Sequence, residues 1–266
     1  MTPHIAPFAP RLRHLFATLI CSIALFGCAS TDQQIDSGLW HYKAGLSGEA
    51  IPRLVSGVES LEATRPSDPR LPQAYLALGD MAVRDKRPDL AETYYKRSLE
   101  SVTKYHATND RLVRNTAVEA GNFYLAQRRF REAEPLLMRA TEISSKFTPA
   151  TKLHVSDLDN LSLAVEGAGR LDEADALSDK ALVVLATLPS SKENVATRGV
   201  VFYNRAYRCA KRGQYVMAES YYRRALADIA SSAEPWRVKV VRTQFADFLR
   251  KQGRAAEANE VEPSHL

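Results

Sequence analysis

Cysteine is nearly absent from this chain of 266 residues: Cys21, Cys28 and Cys209 are all it holds. With no paired Cys-x-x-Cys motifs and no metal-ligand spacing, a disulfide framework and a structural zinc site are both excluded. Cys209 is expected to be a buried packing residue. Sustained period-two alternation is missing too, so strands have little to claim. Pro and Gly number 13 and 12 and cluster at predicted turns. The six histidines (His4, His14, His41, His106, His154 and His265) are scattered, and no His-Glu-x-x-His, Gly-x-Ser-x-Gly or phosphate-loop pattern occurs. The acids lie on predicted helix surfaces, where pairing at i, i+4 explains them. An enzyme has no positive support, and no cofactor or metal is implied. What is present is 45% hydrophobic and 25% charged residues. That balance fits neither a disordered chain nor an all-apolar membrane protein, and the length suffices for a sizeable core or one repeat array.

One stretch occurs twice. Residues 91–99 read Ala-Glu-Thr-Tyr-Tyr-Lys-Arg-Ser-Leu, and residues 218–226 read Ala-Glu-Ser-Tyr-Tyr-Arg-Arg-Ala-Leu. The opening alanine, Ala91 or Ala218, has counterparts at Ala50, Ala133, Ala174 and Ala258, in steps of 41, 42, 41, 44 and 40 residues. Five residues before it stands Gly45, Gly169, Gly213 or Gly253, with Lys86 and Arg128 in that place in the other two. Twelve residues before it stands a small residue every time: Gly38, Gly79, Gly121, Ser162, Ala206 or Ala246. A fixed period of this length marks a repeat architecture. The small residue belongs on a first helix, where a bulky side chain would hold the partner helix away. The alanine belongs early in a second helix, at the same close crossing. The glycine belongs in the turn between them, where a left-handed backbone is accessible. Four-residue spacing then stacks Ala91, Tyr95 and Leu99, or Ala218, Tyr222 and Leu226, on one face.

These marks resemble the tetratricopeptide repeat over nearly all of residues 32–261, as about six helix–turn–helix units. The resemblance implies an all-α fold, a right-handed superhelical solenoid. The family's basic unit is about 34 residues; steps of 40 to 44 are similar to the longer variety of kinesin light chains. There are departures: Ala117 stands where a bulky residue is usual, and Arg205 and Arg208 replace apolar residues. Ser47 is expected to cap the second helix of unit one. Pro66 and Pro69 break the chain before unit two, Pro88 opens a helix, and Pro189-Ser190-Ser191 marks a turn. Unit six starts after Pro235, and residues 262–266 form a polar tail.

The amino terminus carries Arg11 and Arg13, no acid, and then a thirteen-residue apolar run, Leu15–Gly27. That run falls short of the ~20 residues of a membrane span and reads as a secretory signal over residues 1–27. Leu25-Phe26-Gly27-Cys28 resembles the bacterial lipobox, which implies diacylglycerol on the Cys28 thiol and cleavage before it. Two or three acyl chains would anchor the protein stably. Cleavage by an ordinary signal peptidase, or retention as a signal anchor, are the rival readings. Ala29 rather than Asp follows the cysteine; in a Gram-negative source this favours the outer membrane, facing the periplasm. Residues 28–31 form a short tether.

Loss of Arg11 and Arg13 lowers the net charge from +5 to +3. Residues 155–180 hold seven acids and two bases, whereas residues 199–254 hold twelve bases and four acids. The acidic fourth unit is expected to pair with the basic fifth across their junction. The alternative is a basic platform for an acidic protein, a glycan or lipid headgroups. Nucleic acid is discounted for an exported protein.

In the family resembled, first helices line a concave surface that binds an extended peptide or a helix of another protein. By that resemblance the partner-binding residues are Leu76, Asp80 and Arg84; Asn115, Val118 and Asn122; Asp159, Leu163 and Glu166; Tyr203, Tyr207 and Lys211; and Asp247 and Arg250. Asn is a poor helix former, yet a groove-facing amide can bond a ligand backbone through both donor and acceptor. Tyr203 and Tyr207, four apart, can form an aromatic anchor. The expected function is a membrane-anchored adaptor or scaffold for an envelope complex: secretion, pilus, barrel assembly or docking of cell-wall enzymes. Its partners are envelope proteins and, through Cys28, the membrane. A cell-wall- or anionic-lipid-associating structural protein is the alternative.

Overall fold

The computed structural model describes residues 30–230 and 235–262. Among these residues there are twelve α-helices and no strand. In chain order they are α1 Thr31–Lys43, α2 Ser47–Thr64, α3 Arg70–Arg84, α4 Pro88–Tyr105, α5 Asp110–Ala126, α6 Phe130–Ser144, α7 Lys152–Gly167, α8 Leu171–Thr187, α9 Lys192–Lys211, α10 Tyr215–Ile229, α11 Pro235–Lys251 and α12 Ala255–Val261. The described residues divide into two compact units, with the boundary between Ala91 and Glu92.

Short turns repeat six times between the two helices of a pair. Gly45, Gly169, Gly213 and Gly253 take φ of 73° to 87°, and Lys86 and Arg128 adopt the same left-handed conformation at 58° and 57°. The next N–H then reaches back five residues to a carbonyl, as from Leu46 to His41 and from Arg129 to Tyr124, at 2.9 Å. This closes each first helix with a Schellman turn, so a lysine and an arginine fill places that glycine fills more easily.

The register alanines Ala50, Ala91, Ala133, Ala174, Ala218 and Ala258 are all fully buried. In the first unit α1 packs on α2, and α3 touches both. There a Cβ on Gly38 would stand 2.7 Å from the Leu54 side chain, which would have to shift. In the second unit α5 pairs with α6, α7 with α8, α9 with α10 and α11 with α12, and successive pairs touch. The same close approach recurs, with a Gly121 Cβ placed 2.7 Å from Leu137. Aromatic packing around Tyr222, stacked on Phe245 at 5.2 Å, ties α10 to α11.

Most predicted punctuation holds. Pro88 and Pro235 open α4 and α11, and the Ser191 hydroxyl caps α9 by accepting from the Asn194 N–H at 3.1 Å. Pro135 sits inside α6 beyond its first four residues, so the i→i−4 bond that another residue would donate to the Arg131 carbonyl is missing there. Ser47 is a correction: it is the first residue of α2, and Leu46 before it caps the helix with no side-chain bond. Cys28 and residues 1–27 lie outside the described residues.

Candidate functional site

A cavity of about 860 Å³ opens in the second unit, lined chiefly by α7, α9 and α11. Its walls are both apolar and polar. Leu163, Val200, Ile229, Trp236 and Val240 supply the apolar area, and Ser156, Asp159, Asn160 and Asn204 the polar atoms. Trp236 is 61% exposed, which is unusual for a residue this large. Lys152 and Glu193 pair at the rim, with Lys192 and Arg237 beside them.

Asp159 sits in the wall of this cavity and is 8% exposed. The Asn204 amide donates to both its oxygens, at 3.1 and 3.0 Å. Burial pushes the Asp159 carboxyl above the ordinary carboxylate range, opposed by the Asn204 bond and by the charge of Arg208. Tyr203 is half-buried, its ring 6.3 Å from that of Tyr222, and burial raises its phenol. It therefore packs on the core while it lines the cavity.

Glu166 lies in a separate buried cluster. Arg208, fully buried, reaches Glu166 at 3.3 Å and Asp175 at 2.9 Å, and it also bonds Ser178. Lys211 meets Glu166 at 3.1 Å and lies over the exposed Tyr207 ring at 4.6 Å. Arg212 bridges Asp172 and Asp175, and Arg205 pairs with Asp179. The acidic and basic stretches thus neutralise one another across the α8–α9 junction. Arg205 and Arg208, which break the apolar pattern of the repeat, are the agents of that pairing.

The remaining predicted residues divide by place. In the first unit Asp80 accepts from the Tyr42 hydroxyl, and Arg84 lies 5.7 Å from the centre of the Tyr42 ring. In the second unit Asn115 is exposed and accepts from Arg114 at 3.0 Å, and Asn122 is half-buried on the same helix. Val118 is buried with Ala117 and Ala140, a core position rather than a groove position. Asp247 and Arg250 pair at 3.0 Å on α11, with Glu262 joining at 3.3 Å. Of the predicted set the cavity gathers Asp159, Leu163 and Tyr203.

Sequence reasoning missed Asn160, Asn204 and Trp236. The two asparagines stand fourteen residues before Ala174 and Ala218, a repeated amide that was legible. Trp236 was not, because α9 and α11 begin well before the stretch that register counting covers. Among the described residues no cluster of His, Cys, Asp and Glu could hold a metal ion, and no helix is long and apolar enough to cross a membrane. The Ser144 hydroxyl lies 3.0 Å from His154 Nδ1, but it is 1% exposed and donates to the Thr141 carbonyl, so this pair has the geometry of a packing contact. Burial lowers the His154 pKa against the opposing charge of Asp157.

Comparison with known proteins agrees with this architecture. A tetratricopeptide-repeat family model matches residues 70–146. No curated protein matches the chain in sequence. Among solved structures, the nearly identical TPR-like repeats of a Podosopora anserina kinesin light chain superpose with a TM-score of 0.60 at 18% identity, covering 76% of this chain and 96% of that one. A Rap protein complexed with competence and sporulation factor gives 0.67 at 15% identity, covering 92% and 67%. Pseudomonas aeruginosa PilF gives 0.52 at 20% identity, covering 88% and 92%. Residues 70–146 therefore match the tetratricopeptide repeat, and the six alanine-marked helix–turn–helix units share the fold of TPR-like repeat structures.

Proposed function

We propose that this chain is a protein-interaction scaffold of the bacterial cell envelope, anchored by lipid on Cys28 and facing the periplasm from the outer membrane. The observation that carries the scaffold reading is the cavity where α7, α9 and α11 converge. It combines exposed apolar area with amide and carboxyl groups, which can pack on the side chains and hydrogen-bond the backbone of a segment of another protein. The Rap protein of similar fold is itself complexed with a factor. Asn115 and Asn122 on α5, Tyr207 and Lys211 on α9, and Asp247 and Arg250 on α11 extend the proposed partner-binding surface. Asp80 and Arg84 supply the corresponding surface of the first unit. The envelope complex served is one of secretion, pilus, barrel assembly or cell-wall enzyme docking.

The rival reading, a basic surface that holds cell wall or anionic lipid, loses most of its charge. Arg205, Arg208, Lys211, Arg212, Arg223, Arg250 and Arg254 all meet acids within the chain. Two experiments test the proposal. Cys28→Ser should leave a precursor that takes up no radiolabelled palmitate; unchanged labelling removes the anchor. Tyr203→Ala with Asn122→Ala should lower recovery of crosslinked partners with helical circular dichroism intact; normal recovery removes the groove.

A further inference from the structure

Six of the seven acids between residues 155 and 180 meet a cation. Asp157 meets Arg114, Glu166 meets Arg208 and Lys211, Asp172 and Asp175 meet Arg212, Glu173 meets Arg170, and Asp179 meets Arg205. Asp159 is the exception among the described residues. It is as buried as Glu166, yet its contact is one neutral amide, whose single nitrogen serves both carboxylate oxygens. A carboxylate accepts at about four lone-pair positions, so about half of that capacity is unused. It is also the carboxyl that lines the cavity. Arg208 acts on Asp159 by its charge without touching it; a buried carboxylate with no cation in contact is costly, and a cation supplied from outside would lower that cost.

Resting on the scaffold reading above, we infer that this cavity selects a peptide segment in which one lysine or arginine, flanked by apolar residues, inserts its cationic head against Asp159. Leu163, Val200 and Val240 pack on the flanking side chains, and Trp236 closes one wall. Lys192 at the same cavity repels a segment that is basic throughout, so the surface favours a single inserted cation over a polybasic run.

The test uses the full chain in detergent, carrying Trp40→Phe so that Trp236 is the one remaining tryptophan. Three blocked pentapeptides, Ala-Leu-Lys-Leu-Ala and its norleucine and glutamate counterparts, are titrated against Trp236 emission. The lysine peptide should bind about tenfold more tightly than the norleucine peptide. Asp159→Asn keeps the shape and an acceptor for Asn204, and should reduce that advantage to below about threefold. Equal binding of the lysine and norleucine peptides, tighter binding of the glutamate peptide, or an advantage that survives Asp159→Asn would overturn the inference and leave the groove standing. If no peptide moves Trp236 emission, the inference and the groove reading fall together.

Discussion

Arg129 donates to Glu92 at 2.6 Å, and Arg254 donates to Glu219 at 2.5 Å in the same way. Arg170 makes the equivalent pair with Glu134. In each case the arginine is the N-cap residue of a second helix, four before a register alanine, and the acid follows the register alanine of the preceding pair. Each arginine also holds the acid three residues on, Glu132, Glu173 or Glu257. The clasp recurs at three helix-pair junctions, and Gln214 stands in the arginine's place before Ala218.

That clasp gives the second unit an acid-sensitive seam. Hydrogen bonds from Arg129, then Lys96, hold Glu92 at about 2 rather than 4.5. Arg254, with Arg223, holds Glu219 at about 2. A lowered folded-state pKa adds stability that is complete above the unfolded value and is lost as pH falls through the folded one. Thermal melts should therefore weaken as pH drops from about 4.5 toward about 2. The combined Glu92→Gln, Glu219→Gln variant should show a flatter pH dependence in that window; an unchanged slope would remove these two groups from the account.

Arg114 and Asp157 form the buried counterpart on α5 and α7, with two bonds of 2.7 and 2.5 Å. Removing one partner strands a charge, so Arg114→Ala should cost about 3–5 kcal/mol. Replacing both with leucine should recover most of that loss, because packed apolar groups replace a buried pair at little cost. Denaturant melts of the single and double variants distinguish a coupled pair from two independent contacts.

Arg128 is exposed and takes a φ of 57°. A side chain in this region is strained by about 1–2 kcal/mol, and glycine is not. Arg128→Gly should raise the stability of the second unit by about 1 kcal/mol after its extra unfolded-state freedom is counted. No gain in a denaturant melt would place the cost of that turn elsewhere.

The repeat was legible because tight crossings leave one-letter traces. Gly121 meets Leu137 so closely that a methyl would collide, and the turn glycines hold positive φ. Even Lys86 and Arg128 were found by position where composition gave no sign. The pairing of Arg205, Arg208 and Lys211 with the acidic stretch could be read from charge alone. The cavity was only half legible. Asp159, Leu163 and Tyr203 followed from register, but Val118 turned inward, and Trp236 reaches the cavity from the start of a helix whose extra length no alanine mark records. The unmatched burial of Asp159 depends on where α9 places Asn204, and residue type does not carry that.

Photo-crosslinking in living cells tests the central claim most directly. A benzoylphenylalanine at Leu163, in the cavity, is compared with one at Val183, 68% exposed on α8. The account predicts a discrete protein adduct from position 163 that fades in the Tyr203→Ala, Asn122→Ala background, and little adduct from position 183. Adducts from 183 with none from 163 would contradict it.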